Sequence, residues 1–292
     1  MEELFCIGCG AQIQTTAKEQ AGYTPKSALE KGLESGKIYC QRCFRLRHYN
    51  EITDVHISDD DFLKLLHEVG DSRALVVNVI DIFDFNGSVI PGLQRFISSS
   101  DLLLVGNKAD ILPKSVKSGK ITQWLMERAH EEGLRPLDLI LTSAQNKWAI
   151  KELIAKIEEL RQGRDVYVVG VTNVGKSTLI NAIIQEITGD KNIITTSRFP
   201  GTTLDKIEIP LNDGSYIFDT PGIIHRHQMA YYLSDKALKY ISPKKEIKPK
   251  TYQLNPEQTL FLGGLARFDY VTGDKQGFTA YFDNNLKLYL NK

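Results

Sequence analysis

The chain has 292 residues, with 36 Lys+Arg against 36 Asp+Glu, 42% hydrophobic and 25% charged side chains. This is an ordinary globular composition of about two domains, and the balanced charge excludes a chain-wide nucleic-acid surface, leaving only local patches. No apolar run approaches the roughly 18–20 residues that span a bilayer, and the acidic start "MEELFCIGCG" lacks an export pattern, so a cytoplasmic protein with no membrane partner is expected.

All four cysteines lie in the first 43 residues, as Cys6-x-x-Cys9 and Cys40-x-x-Cys43. In a reducing cytosol two such knuckles read as four thiolates around one tetrahedral Zn²⁺. A redox pair and ordinary buried cysteines are the alternatives, but isolated core cysteines do not fall into two identical spacings. The 30 residues between the knuckles leave room for structure of their own. A structural zinc can supply about 10–16 kcal/mol of apparent folding free energy, so the metal is expected to organise a module over 1–56. "CQRCFRLRHYNE" then carries Arg42, Arg45, Arg47 and His48 with no acid before Glu51. It is either a solvated basic face or a nucleic-acid contact.

"DDDFLKLLHEV" (59–69) predicts an amphipathic helix with acids in its first turn. "ALVVNVIDI" (74–82) and "DLLLVGNK" (101–108) are dense apolar runs of the kind buried in parallel sheets, with "SVIPGLQRFI" as the crossover helix between them. Asp81 and Asp84 after the first run read as turn caps. At the end of the second, Asn107-Lys108-Ala109-Asp110 can read a base. A carboxylate at Asp110 accepts from N1–H and the exocyclic amine of guanine, whereas adenine offers no such donors, and sites of this kind reject an analogue by about 10⁴–10⁵-fold. Lys108 would lie over the base and ribose. A helix over 116–133 feeds the strand "LDLILTS", which ends in Thr142-Ser143-Ala144, where the Ala144 N–H can bond the guanine carbonyl. "AIKELIAKIEELRQG" (149–163) is a further amphipathic helix.

The strand "DVYVVGV" (165–171) then enters "GVTNVGKST", in which Gly170, Gly175, Lys176 and Ser177 fit the phosphate-loop pattern around Asn173, Val174 and Thr178. The glycines let backbone N–H groups approach the phosphates, Lys176 reaches the β/γ oxygens and Ser177 binds Mg²⁺. "SRFPGTTLD" supplies Thr202 and Thr203, one of which should complete the Mg²⁺ shell. After the strands "KIEIPL" and "SYIFDT" comes Asp219-Thr220-Pro221-Gly222, where Asp219 holds Mg²⁺ through water and the Gly222 N–H meets the γ-phosphate. Strands alternating with helices argue for a doubly wound α/β domain over 57–241. A long helix, roughly 227–241, leads into the linker "SPKKEIKPKTYQLNP". The stretch 225–250 has seven Lys/Arg against two acids with interleaved tyrosines, and is a solvated linker or an RNA contact. Residues 242–292 should form a small β-rich module, cut short at "YLNK".

The base-reading loops therefore precede the phosphate loop, the reverse of the ordinary guanine-nucleotide domain. A sheet tolerates this rotation because all these loops gather at the carboxyl ends of its parallel strands. The order NKAD, TSA, GVTNVGKS, PGTT, DTPG resembles that of the circularly permuted GTPases. With the four-cysteine module and the β-rich tail, essentially the whole chain resembles the YqeH-type GTPases, bacterial proteins of small-ribosomal-subunit assembly.

The resemblance implies slow, ribosome-linked hydrolysis of GTP to GDP, zinc at Cys6, Cys9, Cys40 and Cys43, and contact of the flanking domains with the small ribosomal subunit or its rRNA. Where Ras-like enzymes place a water-orienting glutamine this chain has Ile223, so turnover near the 10⁻⁴ s⁻¹ order of unassisted Ras is expected. Asn173 resembles the K⁺ ligand of potassium-using GTPases, in which K⁺ replaces an arginine finger; a loop-stabilising asparagine is the alternative. A second class of function stays open, a nucleotide-gated RNA- or protein-binding scaffold with negligible turnover.

Overall fold

A computed structural model describes residues 3–8, 10–18, 20–49, 59–97, 99–188, 207–222, 228, 231–238 and 240–291. They form two compact units, Met1–Ala109 with Ser118–His225, and Asp110–Lys117 with Arg226–Lys292.

The first unit opens with α1 (Lys26–Ser35), which occupies the insert between the cysteine knuckles, and α2 (Gln41–Tyr49). Gly36 ends α1 in the left-handed conformation, its N–H closing back on Leu33 O. Next come α3 (Asp59–Asp71), β1 (Leu75–Asp81), α4 (Phe85–Ser88), α5 (Leu93–Phe96) and β2 (Asp101–Asn107). Of the crossover helix expected over 88–97 only α5 forms, and α4 ends where that span begins. Pro91 disfavours helix at Ile90, and Gly92 sits at φ +72°. After β2 follow α6 (Ser118–Glu131), β3 (Asp138–Leu141), α7 (Lys147–Arg161), β4 (Val166–Val169), α8 (Lys176–Thr188), β5 (Ile207–Pro210) and β6 (Tyr216–Asp219).

These strands make one sheet in the order β3-β2-β1-β4-β6-β5, parallel except for β5, which pairs antiparallel to β6. β1 and β4 pair from Leu75↔Val166 to Asn78↔Val169. Leu75–Ile80, Leu102–Asn107 and Val166–Val169 are buried throughout, as both faces of a parallel sheet require. Each such aliphatic side chain contributes about 1.5–3 kcal/mol on burial. From β1 the chain steps outward to β2 and β3, and from β4 it steps the other way to β6. The order therefore reverses between β1 and β4, and at such a switch point a crevice opens beyond the carboxyl ends of the strands. This is a circularly permuted P-loop domain, in which the phosphate-loop strand β4 enters the sheet fourth in chain order and lies beside the first.

In the second unit, α9 (Asp235–Leu238) is followed by β7 (Lys250–Leu254), β8 (Gln258–Leu262), β9 (Ala266–Tyr270), β10 (Gln276–Ala280) and β11 (Leu288–Asn291). β7 pairs with β10, and β11-β8-β9 form an antiparallel sheet. Phe278 packs against Phe268 and Tyr270, each at a 5.0 Å ring separation. Residues 110–117 belong here, since Ile247 N–H donates to Ile111 O at 2.8 Å. The expected long helix is not formed by the described residues of 227–241. Helix starts only at α9, where Ser234 Oγ accepts from Ala237 N–H. The second half of the expected linker is β7, because Thr251 and Tyr252 are strand formers with a partner in β10.

Candidate functional site

β4 delivers the chain to the phosphate loop, and α8 begins at Lys176. The loop turns through Asn173 at φ +65° and Gly175 at φ +85°, left-handed conformations that asparagine and glycine tolerate best. A Cβ on Gly175 would lie 2.6 Å from Asn107 Nδ2, and one on Gly170 would lie 2.9 Å from Val79 O. Val171 and Val174 pin the loop into the core, while Thr178 faces outward. Lys176 and Ser177 are only 2% and 5% exposed at the start of α8.

The Asn107-Lys108 segment is bonded directly onto this loop. Asn107, at the end of β2, donates from Nδ2 to Val174 O at 2.9 Å. Lys108 Nζ donates to Asn173 O at 2.7 Å and pairs with Asp81 Oδ2 at 2.5 Å. Ala109 N–H donates to Thr142 O and Thr142 N–H to Gly106 O, so the Thr142-Ser143-Ala144 turn is held beside β2. Ser143 Oγ accepts from Gln145 N–H, Ala144 is half-buried, and Asn146 caps α7. Asp110 belongs to the second unit, on a 3-10 turn at Ala109–Ile111, and is exposed. Among the described residues the buried Asn107 Oδ1 and Thr142 Oγ1 have no hydrogen-bond partner, which marks both strand ends as places a ligand or water completes.

Asp219 ends β6 and is 1% exposed. Its Oδ1 is paired with Lys176 Nζ, and its Oδ2 accepts from Arg42 Nη2 at 2.7 Å. Thr220 Oγ1 donates to Val168 O at 2.8 Å and fixes the turn. A Cβ on Gly222 would stand 3.1 Å from Thr172 Cγ2 and 3.5 Å from Gly170 O, so this segment lies against the phosphate loop. Thr202, Thr203 and Ile223 lie outside the described residues. Ser177 and Asp219 provide hard oxygen donors of the kind Mg²⁺ uses together with substrate phosphates, and the two buried cations already keep Asp219 charge-compensated. The donor set fits that ion.

Two contacts escape sequence reasoning. Asp84 caps α4 as expected, accepting from Gly87 N–H, but Asp81 also reaches Lys108, besides accepting from Phe83 N–H. Arg42 is neither a solvated face nor exposed for nucleic acid, because it is 5% exposed and paired with Asp219. No local pattern signals a pair 177 positions apart.

Cys6, Cys40 and Cys43 come together with sulfurs within 4.8 Å of one another, all buried. Cys6 Sγ accepts from Cys40 N–H at 3.1 Å and from Gly8 N–H at 3.4 Å, and a Cβ on Gly8 would lie 2.7 Å from Cys43 Sγ. Buried sulfurs converging among backbone donors fit a soft, tetrahedral metal ion such as zinc. Cys9 lies outside the described residues. Arg45 is half-buried, His48 is exposed, and the Arg47 side chain is not described. No helix among the described residues is long and apolar enough to cross a membrane.

Residues 165–257 match the model of the 50S ribosome-binding GTPase family. The chain is 57% identical to the uncharacterized protein YqeH of Bacillus subtilis over all of its own length and 79% of that protein's. It is 28% identical to the NO-associated protein 1, chloroplastic/mitochondrial, of Arabidopsis thaliana over 97% of its length, spanning 58% of that relative. A GDP-bound structure of TM YlqF is 23% identical, with TM-score 0.36, covering 59% of this chain and 60% of that one. With its phosphate-loop strand fourth in chain order and this identity from end to end, the chain belongs to the YqeH family of GTP-binding GTPases.

Proposed function

We propose that this protein hydrolyses GTP slowly with Mg²⁺ and couples its nucleotide state to assembly of the small ribosomal subunit in the cytoplasm, through contacts with the subunit or its rRNA. The observation that carries the nucleotide part is the bonding of Asn107 and Lys108 onto the phosphate loop. It supports reading the end of β2 as the base-reading element beside the phosphate loop. Asp110, with Lys108 and the Ala144 N–H, reads the guanine. The backbone from Gly170 to Gly175, including Val174, and the first turn of α8 with Thr178 hold the phosphates, and Lys176 leaves Asp219 to meet the β/γ oxygens. Ser177, one of Thr202 and Thr203, and Asp219 through water hold Mg²⁺, which when bound neutralises charge on the transferring phosphoryl group. The Gly222 N–H senses the γ-phosphate. Asn173 offers its side-chain oxygen to K⁺.

A link to ribosomes in general is supported by the name "50S ribosome-binding GTPase" of the model matched by residues 165–257, although 50S is the large subunit. The choice of the small subunit rests on the resemblance to the YqeH-type GTPases alone. Zinc at the four cysteines shapes the first module, taken over 1–56, ahead of a GTPase domain over 57–241 and a β-rich module over 242–292. The test is GTP turnover in K⁺ and in Na⁺ buffer, with and without small ribosomal subunits. Turnover raised by both K⁺ and subunits is expected. Equal rates in the two salts would remove Asn173 from the site. GTP-dependent subunit binding with no rise in turnover would favour the scaffold reading, which Ile223 keeps in contention because an aliphatic side chain cannot orient water.

A further inference from the structure

Arg42 ties the cysteine module to the nucleotide site at a single carboxylate. It lies between Cys40 and Cys43 at the start of α2, two residues after one ligand candidate and one before the other. The backbone around it is held on both sides. Cys40 N–H donates to Cys6 Sγ at 3.1 Å, Gln41 N–H to Tyr23 O at 2.7 Å, and Phe44 N–H to Cys40 O at 2.9 Å. A metal bound by these cysteines would therefore fix where the Arg42 side chain starts.

At its other end the guanidinium donates to Asp219 Oδ2, with both groups withdrawn from water at 5% and 1% exposure. The second oxygen, Oδ1, is bonded to Lys176. The two oxygens of one carboxylate are thus held by two cations with different futures. Lys176 is the phosphate-loop lysine and has a nucleotide to move to. Arg42 belongs to another module, and its backbone is anchored there.

We propose that Arg42 is a positioning residue for Asp219. It clamps Oδ2 and fixes the rotation of the carboxylate, so that Oδ1 is presented to hydrated Mg²⁺ once Lys176 has moved onto the phosphates. The cysteine module is then a permanent part of the Mg²⁺ site, and its metal raises the affinity for Mg²⁺–nucleotide without touching either. The inference rests on the GTPase reading of the site. Carboxylates that serve a metal are commonly held by outer partners, whose loss costs about 10–100-fold in metal affinity. By linkage, nucleotide with Mg²⁺ must strengthen metal retention at the cysteines by the same factor.

The experiment is a titration of the full-length chain with a fluorescent GDP analogue at a series of Mg²⁺ concentrations and in EDTA. Wild type, Arg42→Met and Arg42→Lys are compared, with zinc content and circular dichroism measured on each. The expected result is a rise of about ten-fold or more in the Mg²⁺ concentration for half-saturation in R42M, with a smaller rise in R42K, which keeps the positive charge but not the guanidinium's reach. The change should be confined to the Mg²⁺-dependent part of the affinity. In an Asp219→Asn background, R42M should add nothing further, a non-additivity that a merely structural arginine would not produce. Equal Mg²⁺ half-saturation in wild type and R42M would overturn the proposal, as would additive effects of R42M and D219N. R42K provides the same comparison should R42M fail to fold. Failure of the wild type to bind the analogue in any buffer would refute the GTPase reading itself, an outcome distinct from the others.

Discussion

At the scale of single residues, Gly175 carries two constraints at once. Its φ of +85° is a conformation L side chains rarely adopt, and a Cβ there would press on Asn107 Nδ2 at 2.6 Å. That amide donates to Val174 O and joins β2 to the phosphate loop. In Gly175→Ala the left-handed conformation costs about 1–2 kcal/mol. The displaced Asn107 bond removes about 0.5–1.5 kcal/mol more. Guanine-nucleotide affinity should fall by about ten-fold or more, with the melting temperature lowered by about 3–14 °C. Isothermal titration and a thermal melt separate the two effects, and an affinity equal to wild type would show that the loop tolerates a side chain. Legibility divides cleanly here. Gly170, Gly175, Lys176 and Asp219 stand out in the sequence because phosphate-binding chemistry would demand fixed residue types at fixed spacing, and the fold brings Lys176 onto Asp219. Asp81 and Arg42 were not, since a carboxylate that caps a turn and an arginine between cysteines have ordinary local roles, and their distant partners are set only by the fold.

At the scale of elements, the β5–β6 hairpin is tied to α7 through its turn. Asp213 accepts from Ser215 Oγ and Ser215 N–H, and its other oxygen pairs with Arg161 Nη1 at 2.8 Å. These bonds, the serine hydroxyl foremost, hold the Asp213 carboxyl down at about 2, and the acids Glu158 and Asp213 raise Arg161 in turn. A carboxyl with a depressed folded pKa stabilises fully above its unfolded value, near 3.9, and loses that contribution as pH falls towards 2. Wild type should therefore show an extra decline in stability over that window that Asp213→Asn lacks, while D213N is the less stable protein at pH 7. Urea midpoints measured from pH 7 to the acid limit test this, and parallel curves would remove the turn from the account. α6 and α7 were legible because their apolar period and caps are local. β7 was missed because Lys and Pro around it read as linker, and only pairing with β10 makes Lys250–Leu254 a strand. The late start of α5 after Pro91-Gly92 was written in the sequence but outweighed by the apolar run around it.

At the scale of the whole chain, the rotated motif order was legible because motifs identify themselves wherever they stand. The sheet order was not, since β1 beside β4 is a pairing that no spacing specifies. The remaining question is how a neutral chain would hold RNA. With 36 positive and 36 negative side chains there is no long-range attraction to a polyanion, so binding has to come from a local cluster. The stretch 225–250, with seven Lys/Arg against two acids, is one such cluster, and within it Lys244, Lys245 and Lys248 are exposed. If they contact phosphates, each releases condensed counterions, and log K should fall with log salt by about 0.7 per contact on single-stranded RNA. Replacing all three by glutamine should therefore flatten that slope by about 2 and weaken binding most at low salt. A filter-binding or anisotropy series with a small-subunit rRNA fragment from low to physiological salt reads both quantities. An unchanged slope would make the stretch a solvated linker and move the search for the RNA contact to the cysteine module, where Arg42 is already committed to Asp219 and the exposed Lys31 and Lys37 are the cations to substitute next.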